Sequence, residues 1–243
     1  LYEGPHSLCE QAQHSHKAKL GVHGDGGGLG WYGNAAEPAL YRDAGPAWAD
    51  PNLRELTRVI ESHVFFAHVR ASTGAMNLIV NCHPFRSGRW LFMHNGQIGG
   101  FRELRRLLFG KLSDECFDAI AGGTDSELMF QLMIANGLHT DPGSAIRETI
   151  REIDALRTGR GLAEAFRATF AISNGRSVHA VRWSSDSHAP SMYLNRTDGG
   201  ALLVSEPLDE DISSWTAIPP NSYVRLRMRD DDTIADHTEI FLA

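Results

Sequence analysis

Cysteine is scarce in this chain. Cys9, Cys82 and Cys116 are the only three in 243 residues, an odd number at unrelated spacings. That disfavours a disulfide framework and fits a reducing cytoplasm. Long apolar runs are also missing: no stretch approaches the roughly 20 residues of a membrane-spanning helix, and no secretory signal is visible. Basic clustering is absent too. The formal charge is −7 and the pI near 5.9, with Lys and Arg scattered rather than striped, which leaves no footprint for nucleic-acid phosphates. The densest basic group, Arg102, Arg105 and Arg106, reads as a solvated helix face. No Pro/Gly/Ser linker, repeat or like-charge block divides the chain, so residues 1–243 read as a single domain. At 42% hydrophobic and 22% charged residues, its composition is globular.

Glycine, by contrast, is dense near the start, in Gly24-Asp25-Gly26-Gly27-Gly28-Leu29-Gly30. A phosphate-cradling loop needs a strand before it and a helix after it. Here a polar loop precedes and the aromatic pair Trp31-Tyr32 follows, so a close backbone approach at a strand start is the better reading. Pro51-Asn52-Leu53-Arg54-Glu55 reads as a helix start with Asn52 and Glu55 spaced as a capping box, and Leu53, Leu56, Val59 and Ile60 share one face. Val64–Val69 and Trp90–Met93 read as buried strands flanking the Asn81-Cys82-His83-Pro84 loop.

Thr124-Asp125-Ser126-Glu127 is a second capping box, leading into Leu128, Met129, Leu132 and Met133. Ile146, Ile150, Ile153 and Leu156 mark another amphipathic helix. The period then changes: Phe166, Ala168, Phe170 and Ile172 alternate, and Asn174-Gly175 supplies a two-residue hairpin turn. Val178, Ala180, Tyr193, Leu202 to Val204, Val224, Leu226 and Met228 mark further strands. Helices between two groups of strands predict an α+β architecture with two sheets and a helical layer.

Three segments concentrate side chains fit for chemistry: His68-Val69-Arg70-Ala71-Ser72-Thr73, His94-Asn95-Gly96-Gln97 and Gly123-Thr124-Asp125-Ser126-Glu127. The first two sit where apolar strands end in polar loops, a common place for ligand-binding groups. Arg70 offers a planar fork for a carboxylate, and Asp125 a negative charge for an ammonium. Asn95 and the Gly96 amide offer two neutral donors suited to an oxyanion. Together these suit a zwitterionic amino acid with a reactive side-chain carbonyl. Each segment alone has a plainer account: a structural ion pair for Arg70, a turn at Asn95-Gly96, a helix-dipole partner at Asp125. His68, His83 and His94 lack the helical i,i+4 pair or cysteine cluster of a metal site, so no metal and no cofactor is assigned.

In order and spacing, these strings resemble the class II glutamine amidotransferases, N-terminal-nucleophile hydrolases, and in particular their small stand-alone branch with γ-glutamyl hydrolases. The resemblance runs from His6-Ser7-Leu8 through Gly24-Asp25-Gly26, Gly30-Trp31-Tyr32, Phe66-Ala67-His68-Val69-Arg70, Asn81-Cys82-His83-Pro84-Phe85, His94-Asn95-Gly96 and Thr124-Asp125-Ser126-Glu127 to Ser205-Glu206-Pro207-Leu208. It implies a four-layer αββα sandwich. It further implies that Arg70 clamps the substrate α-carboxylate, that Asp125 binds the α-ammonium, and that Asn95 with the Gly96 amide forms the oxyanion hole. Thr73 lies in the same pocket segment, followed by Gly74 where some relatives carry a larger side chain.

The family's nucleophile is a cysteine at the mature N-terminus whose own α-amine is the base. The chain here begins Leu1-Tyr2, so the resemblance sets the nucleophile, with the family's first strand, upstream of Leu1. Neither Cys9 nor Cys82 takes that role. The implied activity is hydrolysis of the γ-amide of glutamine or a γ-glutamyl compound through a cysteinyl thioester, with a partner subunit for any ammonia acceptor. A catalytically inactive γ-glutamyl-binding regulatory subunit is the rival, and a histidine-based metallohydrolase is the third reading.

Overall fold

A computed structural model describes residues 1–13, 23–71, 76–197, 200–228 and 234–240. Its strands form one six-stranded sheet and two three-stranded sheets. The large sheet has the order β12 (Ile234–Ile240), β11 (Ser222–Met228), β7 (Ser177–Ser184), β6 (Arg167–Ser173), β5 (Trp90–Gln97), β4 (Phe85–Ser87), all antiparallel. One small sheet orders β2 (Ala39–Asp43), β1 (Gly27–Trp31), β3 (Phe65–Val69); the other β10 (Trp215–Ala217), β8 (Tyr193–Thr197), β9 (Gly200–Val204).

Side-chain alternation along the strands explains the layering. On β5, Trp90 and Phe92 point into a core shared with helices α3 (Phe101–Phe109), α5 (Asp125–Ala135) and α6 (Pro142–Gly159). Leu91 and Met93, one residue out of phase, point the other way, into a core shared with both small sheets through Tyr32, Phe66, Leu194 and Leu203. Phe170 and Ile172 of β6 repeat the first direction and Ala171 the second. The far face of β1 and β3 carries Leu29, Ala67 and Val69 against Cys9 of α1 (Leu8–Gln13) and Leu53 of α2 (Pro51–Val59). Three cores thus separate four layers, helix, sheet, sheet, helix. This is the αββα sandwich, one helical layer more than periodicity alone predicts.

The glycine-rich segment serves the sheet-to-sheet contact. A Cβ at Gly28 would strike the His83 carbonyl and lie 2.7 Å from the Tyr41 carbonyl, and one at Gly30 would lie 2.9 Å from Leu91 and Pro84. Only bare backbone lets β1 approach this closely.

Several local expectations are corrected. Helix α2 is capped by Asp50, whose side chain accepts from the Asn52 and Leu53 amides, because Pro51 occupies the first helical position. Val59 is 74% exposed rather than on the packed face. Three residues, Asn174 to Arg176, link β6 and β7 instead of two. At α5, Thr124 Oγ1 accepts from the Glu127 amide at 3.1 Å as expected. The buried Glu127 carboxylate, however, accepts from the Ala121 and Gly122 amides at 3.0 and 2.8 Å. Arg102, Arg105 and Arg106 are exposed along α3, as read.

Candidate active site

A cavity of about 1490 Å³ runs between the sheet layers, and Arg70, Asn95, Gly96 and Asp125 all line it. Arg70 follows the last residue of β3. Its main chain extends the β1–β3 ladder, donating to the Gly26 carbonyl at 2.8 Å and accepting from the Asp25 amide at 3.0 Å. The guanidinium is buried, with Nη1 donating to the Asp25 carbonyl at 3.1 Å. Ser72 and Thr73 of the predicted first segment lie outside the described residues.

Asn95 and Gly96 sit near the end of β5, Asn95 exposed to the cavity. Gly96 has φ +153°, and a Cβ there would strike the Arg167 carbonyl and lie 2.6 Å from His94 Nε2. Strand β4 pairs only Trp90 to Phe92, so beyond Phe92 this edge of β5 is filled by side chains. The His94 N–H donates to His83 Nδ1 at 3.0 Å and the Ile98 N–H to Asp125 Oδ2 at 2.8 Å. Successive N–H groups of a strand point to opposite edges. The Gly96 N–H, between these two, is therefore directed to the same edge, which borders the cavity.

Asp125 opens α5, where its Oδ1 also accepts from the Ser126 amide at 2.8 Å. Ser126 Oγ lies 2.9 Å from His94 Nδ1, and His94 Nε2 lies 3.2 Å from the Arg167 carbonyl. A carbonyl can only accept, so Nε2 carries the proton. Burial lowers the His94 pKa, with Asp125 and the Arg167 carbonyl opposing. The neutral ring then accepts from Ser126 at Nδ1.

His68 stacks on His83 with centroids 4.3 Å apart. Burial pushes His68 down to about 4 and His83 well below the ordinary histidine value. Among the described residues no group of three or more His, Cys, Asp or Glu is arranged to hold a metal ion. Sequence reasoning placed these histidines at strand ends but missed that they buttress β5. The cue was present in their recurrence beside both site strands.

No cysteine of the described residues lines the cavity. Cys9, Cys82 and Cys116 are free and buried. Burial raises the Cys9 and Cys82 thiols, and Cys82 Sγ lies 3.2 Å from the Asp43 carbonyl. No helix among the described residues is long and apolar enough to cross a membrane.

The layered sandwich is that of the N-terminal-nucleophile amidotransferases. The family described as "Glutamine amidotransferases class-II" matches residues 4–197, and the chain belongs to it. It is 31% identical over 250 residues to the "Probable glutamine amidotransferase DUG3" of Saccharomyces cerevisiae, covering 85% of this chain and 70% of that protein. Among solved structures, a glutamine aminotransferase class-II domain protein from Silicibacter pomeroyi superposes with a TM-score of 0.75. It is 35% identical, over 90% of this chain and 92% of that one. The glutamine phosphoribosylpyrophosphate amidotransferase of B. subtilis shares the fold, with a TM-score of 0.65 at 17% identity over 90% of this chain and 43% of that one.

Proposed function

We propose that this chain binds glutamine or a γ-glutamyl compound and hydrolyses its γ-amide through a cysteinyl thioester. The observation carrying this reading is the direction of the Gly96 N–H, turned to the cavity edge between two side-chain-bound amides. A preorganised donor in that place stabilises the anion formed when a thiolate adds to the amide carbon. Asn95 supplies the second donor. Arg70 pairs with the substrate α-carboxylate, Asp125 with its α-ammonium, and Thr73 borders the same pocket. In the first step the S–C bond forms, the C–N bond breaks, and ammonia or an amine leaves with a proton. Water then cleaves the thioester to glutamate and free thiol. Transfer of the ammonia to an acceptor on a partner subunit is the second half-reaction the site would serve.

The nucleophile in this proposal is a cysteine N-terminal to Leu1, carried on an extended segment between β3 and β9. Both strands are at sheet edges among the described residues, and both line the cavity. One strand between them would join the two small sheets into one. Its α-amine would act as the base. The rival reading is an inactive γ-glutamyl-binding subunit. The test is glutamate release from glutamine and a panel of γ-glutamyl amides by the complete protein, with glutamate binding measured in parallel. Release supports hydrolysis. Binding without release from any substrate supports the inactive subunit, and neither defeats both.

A further inference from the structure

Strand β5 outruns its neighbour. β4 ends its pairing at Phe92, yet β5 continues to Gln97 in register with β6. An imidazole takes the place of main chain on the vacated edge: His83, two residues before β4 begins, accepts the His94 N–H at Nδ1. We propose that His83 is a positioning residue for the γ-amide hydrolysis described above, standing in for the missing strand and thereby aiming the Gly96 N–H at the substrate. The proposal rests on that reading of the site.

Four observations support it. A main-chain N–H can only donate, so His83 Nδ1 is unprotonated, and burial together with His68 and His94 favours the neutral ring. The ring is stacked on His68 and packed at a tilt on Phe85, with centroids 4.3 and 4.7 Å apart. The His83 carbonyl sits where Gly28 would carry a Cβ, so its main chain is locked against β1. On the other side of the Gly96 amide, Asp125 takes the Ile98 N–H, so the exposed donor is fixed at both ends. An active-site donor held this way needs little reorganisation as charge develops.

Two variants separate the acceptor from the ring. His83→Phe keeps the stacked ring but removes the acceptor; His83→Asn removes the ring but restores an acceptor oxygen. With γ-amide hydrolysis as the assay, His83→Phe should lower kcat by about 10- to 100-fold while KM changes by less than about 3-fold. His83→Asn should recover most of that loss. Amide hydrogen exchange gives a readout independent of activity. The His94 amide should be protected in the parent and in His83→Asn, and exchange faster in His83→Phe. The proposal is overturned by rapid exchange at His94 in the parent, by parental kcat in His83→Phe, or by equal impairment of both variants. A parent that shows the exchange pattern but hydrolyses no γ-amide would overturn the functional reading alone.

Discussion

The Asp125 carboxylate reaches across to strand β5, its Oδ2 accepting the Ile98 N–H at 2.8 Å, two residues beyond Gly96. The group proposed for the substrate ammonium is thus also a tether for the strand proposed to carry the oxyanion donor. Arg70 instead pairs with the segment leading into β1, bonding Gly26 and Asp25 through its main chain and the Asp25 carbonyl through Nη1.

The two residues should therefore fail differently. Arg70→Ala should weaken glutamate or γ-glutamyl binding by about 10- to 150-fold, the equivalent of a charge-assisted hydrogen bond of about 1.5–3 kcal/mol, with kcat less affected. Asp125→Ala should weaken binding comparably and also lower kcat, because the edge at Ile98 is released. Calorimetry with steady-state kinetics reads both. Unchanged affinity in both folded variants would remove these residues from the pocket.

Asn95 is exposed and near the end of β5, so its removal should leave folding nearly intact. Asn95→Ala should lower kcat by about 10²–10³ with a much smaller effect on substrate affinity, since the second donor is needed only when the carbonyl oxygen becomes an anion. Parental turnover in this variant would leave Gly96 without its proposed partner.

Much of this site was legible in the sequence because its parts lie at element ends. Thr124 announced the start of α5, and the apolar runs ending at Val69 and Met93 located Arg70 and Asn95. The alternation from Phe166 to Ile172 gave β6 because each face of that strand meets a different core. What stayed hidden depends on contacts between distant segments. The His83–His94 bond spans 11 residues and the His94–Ser126 bond 32, and no local period encodes either. The outer helical layer was only partly legible in the periodicity, which gave α2 from Pro51 but not α1. α1 is only six residues long, and its packing partner Leu29 lies in a glycine-rich strand that shows no alternation.

Acid should destabilise the fold through its buried histidines. Burial, reinforced by Arg225, pushes His179 down to about 4, and its ring bonds Tyr223 and Ser177. In the unfolded chain it returns to about 6.5. Between those values the unfolded state holds a proton that the folded state does not. The contribution is therefore fully present above about pH 6.5 and is lost as pH falls toward 4. His68, also near 4, and the lowered His83 and His94 act in the same sense. Denaturant midpoints should fall from pH 7 to pH 5. His179→Gln should flatten that slope by up to about 1.4 kcal/mol per pH unit. Identical slopes in parent and variant would exclude His179 as a contributor.

The nucleophile can be sought directly with a glutamine-shaped electrophile, 6-diazo-5-oxonorleucine, on the complete gene product. Cys9, Cys82 and Cys116 are poor targets, being buried and outside the described cavity lining. Burial also raises the Cys9 and Cys82 thiols, which reduces their thiolate fraction. A cysteine presented between β3 and β9 would instead meet the reagent where Arg70 and Asp125 hold its amino-acid end. The expected result is one adduct per chain, mapped by peptide mass spectrometry to a cysteine preceding Leu1 and suppressed by excess glutamate. Arg70→Ala should slow labelling without moving it. An adduct on Cys9 or Cys82, or none on a protein that binds glutamate, would overturn the proposed nucleophile.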